Sequence, residues 1–73
     1  MAAQTYQIVH LVDSPESAAN AVAVLASVIQ NALAYNFTMT RLLLDGSGRM
    51  RVTLSDPFPQ DEVDSFQGVI VPV

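Results

Sequence analysis

The chain has no cysteine, no lysine and no tryptophan, and a single histidine among its 73 residues. Without cysteine there is no disulfide, thiolate nucleophile or redox pair, and zinc, haem and iron–sulfur centres lose their usual ligands. A domain of this length buries only about 60% of the surface that its unfolded chain exposes. Disulfides, a structural metal or self-association usually supply the missing stability, and this composition removes the first two. Self-association is therefore expected, with no cofactor and no metal. A small secreted domain without disulfides is unusual, so a cytoplasmic setting is expected.

Charge is scarce as well. Charged residues make up 14% of the chain and hydrophobic residues 51%, against a charged fraction of about 25% in globular domains, which is too little to cover a monomer. The net charge is −4 and every cation is an arginine, so attraction to nucleic acid phosphates or anionic lipid is disfavoured. Residues 1–4 place no basic residue ahead of an apolar run, and no signal peptide is expected. Residues 18–35 approach the length of a membrane span. They include Asn20, Ser27, Gln30 and Asn31 and lack basic flanks, so a span is not expected either.

What is present reads as one α+β domain over residues 1–73. Residues 5–12 are β-branched and aromatic, a strand with Tyr6, Ile8, His10 and Val12 on one face. Both faces are partly apolar, which suits a central strand. Asp13-Ser14-Pro15-Glu16 then supplies a capping side chain, a proline for the first helical position and an acid for the first turn. A helix is predicted from residue 15 to about 35, free of internal proline and glycine. Ala18, Val22, Leu25, Ile29 and Leu33 form the stripe expected on the sheet. The opposite face holds Asn20, Ala23, Ser27, Gln30, Asn31 and Ala34, and no charge occurs anywhere from Ser17 to Thr40. An ordinary exposed face would carry Lys and Glu, so this face is expected to pack against another subunit.

Asp45-Gly46-Ser47-Gly48 separates residues 36–44 from 49–55 and predicts a β-hairpin. Pairing Leu44 with Arg49 puts Phe37, Met39, Arg41, Leu43, Met50, Val52 and Leu54 on the core face. Thr38, Thr40, Leu42, Leu44, Arg49, Arg51, Thr53 and Ser55 then share the other, and a one-residue slip would invert one strand. Pro57 and Pro59 end the pairing. Residues 60–66 can form one or two helical turns, and residues 69–71 a short last strand with Pro72 at an edge. The expected fold is β-α-β-β-(short helix)-β, a four-stranded, mainly antiparallel sheet with one long helix on one face.

His10 is the natural first choice for acid–base chemistry at neutral pH. It has no nucleophile at a recognisable spacing, and a packed histidine is expected. Asp61, Glu62 and Asp64 lack the alternation and glycine of a calcium loop and read as a solvated acidic turn. Gly46 and Gly48 lie in a hairpin and not between strand and helix, so they do not form a phosphate-binding glycine loop. Arg49 and Arg51 sit two apart on one strand face beside the hydroxyls of Thr38, Thr40 and Thr53, where they could hold a phosphate or carboxylate. Arg41 falls among core residues in this register, where an unpaired charge is costly. It could reach the sheet edge, pair with an acid such as Asp56, or line a pocket between subunits. These features point to a non-catalytic binding protein that acts as a homo-oligomer and captures a small anionic, nucleotide-like ligand at subunit boundaries through Arg41, Arg49, Arg51 and the neighbouring threonines. The alternative is an inhibitor or accessory module that binds a larger protein through its helix or sheet face.

Overall fold

A computed structural model describes residues 2–73; Met1, part of the stretch read for a signal peptide, lies outside the described residues. The chain runs β1 (Gln4–Leu11), α1 (Pro15–Ala34), β2 (Met39–Leu44), β3 (Arg49–Leu54), α2 (Gln60–Ser65) and β4 (Ile70–Pro72). The strands form one antiparallel sheet in the order β2-β3-β1-β4. α1 lies against β1 and, less extensively, β3. This is the α+β architecture that the sequence pattern predicts, with β1 central and Pro72 on an outer strand.

The ends of α1 follow from local chemistry. Ser14 has extended backbone and its hydroxyl accepts the Ser17 N–H at 3.2 Å, with Pro15 in the first turn and Glu16 behind it. At the other end Asn36 takes φ 61°. The Phe37 N–H reaches the Ala32 carbonyl at 2.8 Å and the Asn36 N–H the Leu33 carbonyl at 3.0 Å, a Schellman cap. By length and composition alone α1 could cross a membrane. Here it lies along the sheet, with Ala21, Val28 and Ala32 buried in the core.

The inward stripe of α1 differs from the expected one. Ala21, Val28 and Ala32 are buried and Val24 and Leu25 pack beside them, whereas Val22 and Leu33 are 57% and 67% exposed. Apolar residues extend beyond the buried stripe to Val22 and Leu33, so spacing alone does not select the rotation of the helix. Small Ala21 and Ala32 let the backbone approach the sheet, and Asn31 and Tyr35 both donate to Glu62 of α2, at 2.8 and 3.2 Å.

The hairpin register also differs. Leu44 pairs with Met50 and not with Arg49. The Asp45 N–H donates to the Arg49 carbonyl at 2.8 Å. Asp45 Oδ1 accepts from the Ser47 N–H at 2.9 Å, the Ser47 hydroxyl at 2.6 Å and the Arg49 N–H at 3.0 Å. Gly48 takes φ 86°, a conformation costly for other residues. β3 keeps its expected faces and β2 is inverted. Leu42 and Leu44 turn to the helix side, while Arg41 and Leu43 turn to the helix-free side; an irregularity between Met39 and Arg41 leaves Phe37 and Met39 on the helix side. Arg41 is thus exposed and not among the core residues.

The core comprises Tyr6, Ile8, Val52, Leu54 and Ile70 from the sheet, the three buried residues of α1, and Phe58. Phe58 is a hub. Its ring lies 5.5 Å from Tyr6, 5.9 Å from Tyr35 and 6.0 Å from both Phe37 and Phe66. Its N–H donates to the buried Tyr6 hydroxyl at 2.8 Å, pinning the proline-flanked segment under the sheet.

Candidate functional site

α1 covers one face of the sheet and no described element covers the other. Pairing and the two-residue period set out that open face. Leu43, Arg51, Gln7 and Val71 lie in one row across the four strands, and Arg41, Thr53 and Thr5 in the next. Arg49 follows Arg51 on the same face of β3. The observed register therefore gathers every cation of the chain onto one sheet face.

Each guanidinium has a different setting. Arg49 Nε donates to the Val9 carbonyl at 3.2 Å and its terminal nitrogen to the Ser47 hydroxyl at 3.3 Å. Arg51 Nε lies 3.3 Å from Asp45 Oδ2 and 3.1 Å from the Gln7 side-chain oxygen. Arg41 makes no side-chain hydrogen bond or ion pair among the described residues. The Thr5 and Thr53 hydroxyls bond each other at 2.8 Å. Asp45 is the acid of this face. Bonds from the Ser47 hydroxyl and then the Arg49 N–H, aided by Arg51, hold its carboxyl down at about 2. It therefore stays an anion and offsets part of the arginine charge.

Of the residues expected to share the ligand face, Arg49, Arg51 and Thr53 do so, and Arg41 joins them from the opposite assignment. Thr40, in the irregular stretch, donates to the Thr53 carbonyl at 3.4 Å. Thr38 lies elsewhere, beside an apolar depression of about 200 Å³ lined by Ile29, Ala32, Leu33, Phe37, Thr38 and Met39. Asp56, offered as a partner for Arg41, forms no ion pair among the described residues. Gln7, Thr5 and Asp45 were missed. Their signal was parity: Gln7 and Thr5 alternate with the buried Tyr6 and Ile8, and Asp45 continues the odd-numbered face of β2.

The other expected surfaces are also placed. Asn20, Ala23, Ser27, Gln30 and Ala34 are exposed along α1, while Asn31 is half-buried against Glu62. Glu62 is no freely solvated acid, since its carboxylate accepts from Asn31 and Tyr35 and clasps α2 to α1. Partial burial and the neighbouring Glu62 push the Tyr35 hydroxyl up from its ordinary range. His10 is half-exposed in the part of β1 where the pairing with β3 shifts between Gln7 and Leu11. No cluster of three or more metal-ligating side chains occurs among the described residues. Comparison with family models, with curated proteins and with solved structures finds no match to this chain.

Proposed function

We propose that the chain is a non-catalytic, cytoplasmic binding protein that self-associates and holds a small anionic, nucleotide-like ligand on its helix-free sheet face. One observation carries this reading: in a chain of net charge −4, all the cations converge on the face that the helix leaves uncovered. Arginine suits the task because its planar fork pairs with phosphate in two parallel hydrogen bonds. Arg51 is 39% exposed and uses its Nε toward Asp45 and Gln7, so its terminal nitrogens, which make no hydrogen bond among the described residues, are open to a phosphate. Leu43 and Val71 share a row with Arg51 and offer an apolar bed for a flat base. The absence of cysteine fits the reducing cytoplasm.

The test is calorimetric titration of the purified protein with mono- and dinucleotides, alongside the Arg49→Ala/Arg51→Ala double variant. A hydrogen bond to a charged group contributes about 1.5–3 kcal/mol, so each lost guanidinium should weaken binding by about 10- to 100-fold, with an unchanged circular dichroism spectrum. Undiminished affinity in the double variant, or no binding by the parent, would refute the reading.

A second reading, a module that docks on a larger protein, draws support from Val22 and Leu33, which stand exposed on the charge-free side of α1.

A further inference from the structure

β2 is an outer strand of the sheet, and past its irregular start its last three residues carry none of the usual protections of an edge. Natural edge strands are protected by lysines, by proline, or by a covering segment. After the irregularity at its start, β2 carries one charge, Arg41, and then Leu42, Leu43 and Leu44. The Asp45 N–H bonds the Arg49 carbonyl. Antiparallel alternation then turns the N–H and C=O groups of Leu42 and Leu44 away from β3, toward the free edge. On the helix side of that edge Leu42 is 43% and Leu44 58% exposed, and Leu33 and Met39, which line the apolar depression, are exposed as well. Open backbone groups beside uncovered leucines are the requirements of strand addition.

We propose that a second copy of this chain docks on this edge, β2 against β2, antiparallel about a two-fold axis perpendicular to the sheet. Charge selects the register. With Leu43 opposite the partner's Leu43, Leu42 faces the partner's Leu44 and Arg41 faces the partner's Asp45. Each contact off the axis occurs twice, as a closed two-fold interface requires. Leu42 and Leu44 form the hydrogen-bonded pairs, and Arg41 and the partner's Asp45 a non-hydrogen-bonded pair, the type whose side chains lie closest. Centring the axis on Leu42 sets Arg41 against a leucine, and centring it on Arg41 sets two guanidiniums against each other. Leucines then meet on the helix side, and Arg41 and Arg51 of each copy gather around the two Asp45 carboxylates on the open face. The open faces of the two copies in this way become continuous across the subunit boundary. This deepens the self-association part of the proposed function and does not depend on the ligand.

The test is native mass spectrometry with sedimentation equilibrium on the full chain, without ligand, over a range of micromolar concentrations. The parent should give a species of twice the 7.9 kDa chain mass. Arg41→Glu opposes the partner's Asp45 and should raise the dimer dissociation constant by about tenfold or more, while Arg41→Lys stays close to the parent. Leu44→Lys, at an exposed position, should also yield monomer with an unchanged circular dichroism spectrum. A monomeric parent, or dimers untouched by Arg41→Glu and Leu44→Lys, overturns the proposal. So does a dimer split only by Ser27→Glu with Ala34→Glu, which would place the interface on the helix. Arg49 is outside the edge contact, so Arg49→Ala should weaken nucleotide binding and leave the mass unchanged. A monomer that still binds nucleotide overturns the dimer while sparing the ligand reading.

Discussion

Tyr6→Phe removes one oxygen from the core and leaves the ring. That oxygen accepts the Phe58 N–H at 2.8 Å, and Tyr6 and Phe58 are only 2% and 5% exposed. Their rings lie 5.5 Å apart, a contact that phenylalanine retains, so little packing is lost. The change is confined to a buried amide deprived of its acceptor, which costs about 1–3 kcal/mol. A domain of this size has a total stability of roughly 4–11 kcal/mol, so the loss is a large fraction of the whole. With an m-value of about 1 kcal/mol/M in urea, the unfolding midpoint should fall by about 1–3 M at unchanged m. Phe58→Ala gives the upper reference, because it empties the centre of the aromatic cluster and should cost about 3–5 kcal/mol. A midpoint for Tyr6→Phe equal to that of the parent would refute the reasoning. It would mean that the Phe58 amide finds another partner and that residues 56–59 are not pinned by Tyr6.

The turn and the helix give two further outcomes. Asp45 has its carboxyl lowered from 3.8 to about 2 by the Ser47 hydroxyl and the Arg49 N–H. Its contribution is therefore fully present above pH 3.8 and is lost as pH falls through 2. Asp45→Asn should flatten the decline of the thermal midpoint across that window, and an unchanged slope would contradict the turn geometry. On α1, Ala21→Leu should overpack the sheet contact and cost about 1–3 kcal/mol, while Val22→Ser, one position along, should stay within about 0.5 kcal/mol. Equal effects in urea unfolding would mean that the helix is rotated differently.

Local chemistry was legible in the sequence where one segment settled its own structure. Ser14 and Pro15 marked the start of α1, and Asp45-Gly46-Ser47-Gly48 marked a hairpin, because a cap or a turn involves only a few consecutive residues. Rotation and register were not legible, because each depends on a distant choice. In α1, Ala18, Val22, Leu25, Ile29 and Leu33 make as good a stripe as the observed one. The decision falls to the close approach of Ala21 and Ala32 and to Glu62, some thirty residues along the chain. In the hairpin the Asp45 carboxylate closes the turn with three bonds, and moving the pairing by one residue was enough to exchange the faces of β2. Arg49, Arg51 and Thr53 were placed correctly relative to one another because they share one strand. Arg41 was misplaced because its face depended on that register.

The register that occurs is the one that removes the costliest feature of the alternative. Pairing Leu44 with Arg49 would have put Arg41 on the helix side opposite the buried Val52, a charge facing the core without a partner, and would have spread Leu42 and Leu44 over the open face. In the observed pairing the charge reaches solvent beside Arg51 and the leucines turn toward the helix. Yet α1 lies over β1 and less extensively over β3, and Leu42 and Leu44 remain 43% and 58% exposed. The same shift that collects the cations therefore leaves an apolar edge that no described segment covers. Extending the sheet by a second β2 would satisfy both consequences at once, since it covers the leucines and supplies Arg41 with a carboxylate.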